Sequence, residues 1–369
     1  MTRTVHHYYP YGSQNIGDEL VAHALRQALP RVLGPLEFVN FPANKTYTGS
    51  QALGLRGENL ARNNAEADFV LIGGSNLLEP RKPGPENAFR TGQAWGVVTD
   101  RPSIAQLEKP LILLGQGTGS SYGQRLPHYL SPAREEIQQL HKKAVVSAVR
   151  DYATQRRLAE IGVTTECTGC PVTFLTDRAV TAGDERLPLL VSFPPERMTR
   201  YWTGRRFMQS AMDYVSWLQR EGVPVIVTLH DRRDREPAQK WVPSGVEIFD
   251  PVDIPDLIAR FENCRGVVGF RLHAALLGLG LGKPILPVGV DWRGLGFIET
   301  FELQDLSIRP FRLGQFSKLK RLTRELLSQP QRVCETLTDA KNFFRQKYER
   351  TLTLVASKID AAQSAAHAA

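Results

Sequence analysis

Short apolar runs that end in glycine or small polar residues, each followed by a stretch with helical spacing, recur along the whole chain. Residues 67–75 and 111–117 are apolar on both faces, the pattern of strands buried within a parallel sheet. Shorter strand-like runs occupy residues 5–9, 145–150, 187–193, 223–229, 246–249 and 284–288, and residues 266–268 close another. Helical spacing appears between them over residues 20–29, 152–160, 207–220, 256–263 and 272–281, with Gly162 and Gly282 as stop signals. Met208, Met212, Val215 and Leu218 recur at the spacing of a core-facing helix. Strands that alternate with helices in both halves predict an α/β protein of two doubly wound domains facing a central cleft. The polar stretch 176–186 lacks any apolar period and marks the expected boundary, giving domains over residues 1–180 and 187–330. Residues 331–369 read as a helical tail whose last nine residues, from Ala361, are expected to fray.

Composition narrows the classes. A length of 369 residues suits two domains, and 42% hydrophobic with 23% charged residues describes a soluble globular chain. The net charge of +8 favours acidic partners, whether phosphorylated small molecules, nucleic acid or an anionic membrane surface. The basic residues are scattered and form no block, so nucleic acid is not an expected partner. No apolar run approaches the roughly 18 residues of a membrane span, and no signal core follows the first residues, so a cytoplasmic location is expected. Cys167 and Cys170 form a CxxC without a second pair, while Cys264 and Cys334 stand alone, which is not zinc-site spacing.

The candidate chemistry lies where strands hand over to helices. Arg271, Leu272 and His273 open the helix at 272–281, where first-turn amides lack intrahelical partners and the helix dipole favours an anion. The plainer reading pairs Arg271 with a structural carboxylate and makes His273 a core histidine. The first loop, YYPYGSQNIGDE, carries Gly12 and Gly17, which permit close backbone approach, and Asn15 and Asp18, which either cap the helix or face a ligand. Gly73 and Gly74, then Gly115 and Gly117, end two buried strands; ligands of open α/β sheets sit beyond such ends, although tight connections alone also call for glycine. Arg150 with Asp151, and His230 with Asp231, stand at two further strand ends.

The segments NIGDE, DFVLIGGSNLL, ILLGQGTG, VRD, LAEIGV and RLH with GKPILPVGVDW, in this order over roughly residues 5–300, resemble the polysaccharide pyruvyl transferase family. RLH followed by a small-residue helix and GKP is the most specific of them. The resemblance implies two Rossmann-like domains arranged as in GT-B glycosyltransferases, with phosphoenolpyruvate as donor and a glycan as acceptor, yielding a pyruvate ketal on a sugar. Carried over by position, Arg271 and Arg150 grip the donor, His273 does general acid or base work in either direction, and Asp18 orients or deprotonates the acceptor hydroxyl. Asn15, Gly17, Gly73, Gly74, Gly115, Gly117, Leu272 and His230 complete the expected substrate-binding set. No metal and no cofactor besides the donor substrate are expected. The chain departs from the family pattern at Cys170, where an aspartate usually precedes Pro171, and at Ser75, where a third glycine is usual.

Two other readings stay open: a nucleotide-sugar glycosyltransferase on the same architecture, and a non-catalytic glycan-binding relative. A lipid-linked acceptor would bring this basic chain to the inner membrane face as a peripheral protein, which its charge permits. The acceptor sugar and the oligomeric state are not specified by the sequence. Arg26, on the first helix, serves as a control position at which alanine is expected to do little.

Overall fold

A computed structural model describes residues 2–13, 15–43, 54–79, 96–119, 128–195, 202–310 and 312–368. The first half runs β1 (Arg3–Tyr9), α1 (Ile16–Ala28), α2 (Pro30–Leu33), β2 (Leu36–Pro42), α3 (Gly57–Glu66), β3 (Phe69–Gly73), α4 (Arg101–Gln106), β4 (Leu111–Gln116), α5 (Ala133–Lys143), β5 (Ala144–Val149), α6 (Tyr152–Ala159) and β6 (Glu166–Cys167). The second half runs β7 (Leu189–Ser192), α7 (Trp202–Arg220), β8 (Val225–Thr228), α8 (Arg235–Trp241), β9 (Glu247–Phe249), α9 (Ile254–Glu262), β10 (Gly266–Gly269), α10 (Leu272–Gly280), β11 (Ile285–Pro287), α11 (Trp292–Thr300), α12 (Gln315–Ser328) and α13 (Pro330–Ala368).

Two compact units result. Unit 1 comprises Met1–Ser13, Val21–Pro171 and Phe344–Ala369; unit 2 comprises Gln14–Leu20 and Val172–Phe343. The division falls at the short 3₁₀ turn Pro171–Phe174, ahead of the polar stretch 176–186. The start of α1 groups with unit 2 because Ile16 N–H donates to the His230 carbonyl at 3.1 Å and Asn15 bridges Asp231. The tail is no separate body. Phe344, Tyr348, Leu352, Val355 and Ile359 are buried at helical spacing in unit 1, and that stripe carries α13 onward. Its end is tied down as well, since Arg3 bonds Gln363 at 3.1 Å and Asp360 at 2.7 Å, so the expected fraying after Ala361 is replaced by helix to Ala368.

Both sheets are parallel, and their strand orders differ. Among the described residues unit 1 has the order β2-β1-β3-β4-β5-β6 and unit 2 the order β11-β10-β7-β8-β9. β3 and β4 are buried along their whole length, as their uninterrupted apolar runs require. In each sheet the winding direction reverses once, between β1 and β3 in unit 1 and between β7 and β10 in unit 2. Such reversals leave a crevice beyond the carboxyl ends of the two strands, where helices depart to opposite faces.

Arg26 is no idle control. It donates to the Tyr9 hydroxyl at 2.8 Å and to Asn40 Oδ1 at 2.7 Å, joining α1 to β1 and β2. Sequence alone could not show this, because the partners lie on two other elements. Arg26→Ala is expected to lower stability by roughly 2 kcal/mol, since hydrogen bonds to a charged group contribute about 1.5–3 kcal/mol. Urea denaturation checks this.

Several histidines sit in the apolar layers. Burial pushes His7 down to about 3 and His141 down to about 4, and in unit 2 burial, with the Arg271 charge adding, takes His230 to about 3. All three are therefore neutral when folded, whereas the unfolded chain protonates them near 6.5. Their contribution is present above pH 6.5 and is lost as the pH falls below it, because only the unfolded state gains protons there. Moving from pH 7.5 to 5.5 should cost roughly 1.4 kcal/mol per histidine, about 4 kcal/mol together. Urea denaturation at the two pH values tests this; equal midpoints would show that these rings are not held neutral.

Candidate active site

The reversal point of unit 2 is where the chemistry collects. β7 ends at Ser192, which is fully buried, and its hydroxyl accepts the backbone N–H of Arg271 at 2.9 Å. Arg271 lies one residue beyond the end of β10, after Phe270, and is the residue before α10, whose first turn has neither an acidic residue nor a side-chain cap. Gly269 permits this tight handover, since a Cβ there would lie 2.8 Å from the Ala275 Cβ. The Arg271 guanidinium pairs with Asp234, whose carboxyl is 0% exposed while the arginine side chain keeps 13%. The plainer reading of Arg271 is thus correct about the carboxylate, but this pair opens on solvent. It lines a recess of about 90 Å³ together with Asn15, Pro195, Asp231, Arg233 and Arg293.

Asp234 reaches its place through local capping. β8 is followed by His230 and then by a 3₁₀ turn, Arg232–Asp234, whose N-cap Asp231 accepts the Arg233 N–H at 3.0 Å. Burial opposes charge on Asp231, but hydrogen bonds from Arg233 and the nearby charge of Arg271 hold its carboxyl below the ordinary value. The His230 imidazole is buried, edge-on to Phe261, with Nε2 at 3.3 Å from the Thr228 hydroxyl. Its backbone carbonyl accepts the Ile16 N–H.

The NIGDE loop belongs to the same place. The Asn15 carboxamide accepts the Gly17 N–H at 3.0 Å, and the Asn15 carbonyl accepts the Asp18 N–H at 3.0 Å, so Asn15, rather than Asp18, does the local capping. Gly17 packs flat against the imidazole of His273: a Cβ at position 17 would lie 1.8 Å from His273 Nδ1 and 2.4 Å from Cγ. His273 is itself buried in the first turn of α10, so the ring has little room to retreat. Leu272, beside it, is partly exposed. Unit 2 therefore holds Asn15, Gly17, Asp18, His230, Arg271, Leu272 and His273, with Asn15 and Arg271 on one recess and Gly17 against His273.

Unit 1 gathers the remaining candidates. Gly74 at φ 80°, Ser75 at φ 60° and Gly115 at φ 64° use the left-handed region, which explains the usual glycine at position 75. Packing also demands glycine: a Cβ would meet Leu25 at 2.7 Å from Gly73, Val21 at 2.5 Å from Gly74 and Pro171 at 2.8 Å from Gly115. Gly117 is different, since its missing Cβ makes room for Arg150, whose Nε would be 2.2 Å away. The Arg150 guanidinium, 3% exposed, bonds Asn76 and, at 3.3 Å, Asp151, which also caps α6 through the Thr154 N–H.

Sequence reasoning passed over Ser192, Asp234, Asp291 and Arg293. The last two did leave a signal. Asp-x-Arg occurs a few residues after a strand at 231–233 and again at 291–293, in each case opening a helical turn. Among the described residues no group of three or more metal-ligating side chains is placed to hold a metal ion.

Gly17→Ala is expected to push the His273 ring aside; in a turnover assay the expected outcome is a fall of at least ~10²-fold, the lower end of what a positioned proton-transfer group contributes. The melting temperature, read on the same samples, should drop far less than for a core cavity. An alanine variant with wild-type turnover would show that the ring position is not required.

Among solved structures the chain is similar to the S. aureus MnaA–UDP co-structure, at 12% identity over 96% of this chain and 97% of that one, with a TM-score of 0.51. It is also similar to UDP-GlcNAc 2-epimerase from Neisseria meningitidis bound to UDP-GlcNAc, at 8% identity over 95% and 100%, TM-score 0.51. An α,α-trehalose-phosphate synthase (UDP-forming) from Burkholderia vietnamiensis follows at 11% identity over 99% and 98%, TM-score 0.51. Identities this low speak for the fold alone, which is GT-B-like. No curated protein matches the chain. The family model for polysaccharide pyruvyl transferase matches residues 15–291, from the Asn15 cap to the Asp291 cap. That span covers most of the chain and all of the recess apart from Arg293, and the protein belongs to the polysaccharide pyruvyl transferase family.

Proposed function

We propose that this transferase moves the pyruvyl group of phosphoenolpyruvate onto two hydroxyls of a polysaccharide or its precursor, forming a pyruvate ketal. The observation that carries this reading is the pair Arg271 and His273 at the start of α10, one fixed by buried Asp234 and the other by Gly17. A guanidinium fork matches carboxylate or phosphate oxygens two at a time. An imidazole beside it can carry a proton near neutral pH.

The overall change requires two hydroxyl protons to find new places. One sugar hydroxyl adds to C2 of the donor while C3 takes a proton and becomes the methyl group. The C2–O bond to phosphate then breaks, the second hydroxyl adds to the cationic carbon, and its proton leaves with the phosphate. His273 is assigned the first transfer: it accepts the proton of the attacking hydroxyl and delivers it to C3, returning to its starting state. Asp18, in the first turn of α1, is assigned to orient the acceptor hydroxyl. The grip on the donor is assigned to unit 2. Arg150, whose guanidinium is occupied by Asn76 and Asp151, is assigned to shaping the glycine turns of unit 1.

Phosphoenolpyruvate as donor suits a cytoplasmic reaction. Among the described residues no helix is long and apolar enough to cross a membrane. A net charge of +8 would help a lipid-linked acceptor be met at an anionic membrane face.

Arg271→Lys is expected to lose most of kcat/KM, because a point charge cannot replace the fork, and His273→Gln to lower kcat by about 10²- to 10⁴-fold. Incubation of glycan with labelled phosphoenolpyruvate, or with a panel of nucleotide sugars, reads the donor. Phosphate release coupled to glycan labelling supports ketal formation. Transfer from a nucleotide sugar alone would replace this reading with the glycosyltransferase one.

A further inference from the structure

Between Asp305 and Glu325 the chain has six basic residues, Arg309, Arg312, Lys318, Lys320, Arg321 and Arg324, and no acidic one. The whole chain has a net charge of +8, so most of the excess falls on this one segment. Uncharged residues separate most of the six, which is why no contiguous basic block shows in the sequence. The segment also lies beyond residue 291, where the family match ends.

Three of the six come together. Arg309, Arg312 and Lys318 line a recess of about 360 Å³ with Gln304, Ser307 and Gln315, and no carboxylate is among these lining residues. The Lys318 ammonium donates to the Gln304 carbonyl at 3.0 Å, which uses one of its three donors, and the exposed Asp305 is the acid whose charge reaches it. Among the described residues the guanidiniums of Arg309 and Arg312 have no hydrogen-bond or ion-pair partner. The contrast with Arg271, Arg233 and Arg293 is plain, since each of those is matched by an aspartate. The other three basic residues are engaged. Lys320 and Arg324 lie over the Trp217 ring at 5.5 and 5.0 Å, Arg324 pairs with Glu221 at 3.3 Å, and Arg321 stands 3.8 Å from Glu325.

A second observation is apolar. Leu313, between Arg312 and the left-handed Gly314, is fully exposed. Unmatched cations around an exposed leucine suit a membrane surface, where the cations meet lipid phosphates and the apolar side chain enters the acyl boundary. Nucleic acid would engage the cations alone. Phe316, in the first turn of α12, packs on Phe270 with ring centroids 6.5 Å apart, so this surface is built onto the element that leads into Arg271.

We propose that Arg309, Arg312, Leu313 and Lys318 form a docking surface for anionic membrane lipid, the three cations on headgroup phosphates and the leucine inserted beneath them. Unit 2 is then held at the membrane by a surface separate from the Arg271 recess, with which it shares no lining residue. The proposal goes beyond the donor reading, since lipid binding requires neither donor nor acceptor.

The test is co-sedimentation of the full chain with vesicles of phosphatidylcholine alone and of phosphatidylcholine mixed equally with phosphatidylglycerol. The protein is expected to partition onto the mixed vesicles only, and to be released in high salt, where surface charges are screened. Arg309→Gln with Arg312→Gln should weaken that partitioning about 30-fold, a factor of about five for each basic residue lost from an anionic surface. Leu313→Ala should weaken it several-fold without altering the salt dependence. Thermal unfolding and turnover on a soluble glycan, read on the same samples, should match the wild type for these variants; a double variant that fails to fold is replaced by its two single variants. Equal partitioning onto both vesicle types, or wild-type partitioning by the folded arginine variant, would overturn the proposal and leave the donor reading untouched. Binding of inorganic phosphate or of a single-stranded oligonucleotide that depends on Arg309 and Arg312, with no vesicle binding, would overturn it in favour of a soluble anion or of nucleic acid.

Discussion

The recess of unit 2 depends on one buried contact, the Asp234 carboxylate against the Arg271 guanidinium. A carboxylate shut away from water is costly unless a charged partner satisfies it, and removing either member leaves the other stranded. The pair is therefore best understood as a device for orientation rather than for stability. Ser192 fixes the Arg271 backbone at the end of β7, and Asp234 fixes the far end of its side chain. Everything else at the site is positioned relative to that bracket, including His273 two residues further on.

Sheet order explains why the bracket stands where it does. Unit 2 reverses its winding between β7 and β10, and the two residues joined by the Ser192–Arg271 bond lie at the ends of those two strands. Unit 1 reverses between β1 and β3, and its glycine-rich ends show a different economy. There most of the glycines answer to packing and to left-handed backbone. Gly117 alone among them makes space for a charged side chain, that of Arg150.

Much of the fold was legible because parallel strands buried on both faces must be apolar and must end in small residues where helices begin. The runs at 67–75, 111–117 and 266–288 announced themselves in that way. α3, α4 and α5 did not, since their buried faces carry few large apolar side chains, Leu60 in α3, Ile104 in α4 and Ile137 with Leu140 in α5. The Arg271–His273 helix start was readable for the same reason as the strands, a local handover of pattern. Asp234 and Ser192 were not, because their roles come from pairing with residues 37 and 79 positions away. Arg26 escaped for the same reason; the tail was legible as helix, but its packing was not, because its apolar stripe has no partner within its own sequence neighbourhood.

The paired carboxylates also bear on how the recess would hold an anion. Arg271, Arg233 and Arg293 are matched by Asp234, Asp231 and Asp291, so the recess is close to electrical balance despite its concentration of arginine. Retention must then come from the simultaneous fit of several oxygens rather than from bulk attraction. An anion that offers fewer oxygens than the recess can engage at once is then held more weakly, whatever its charge.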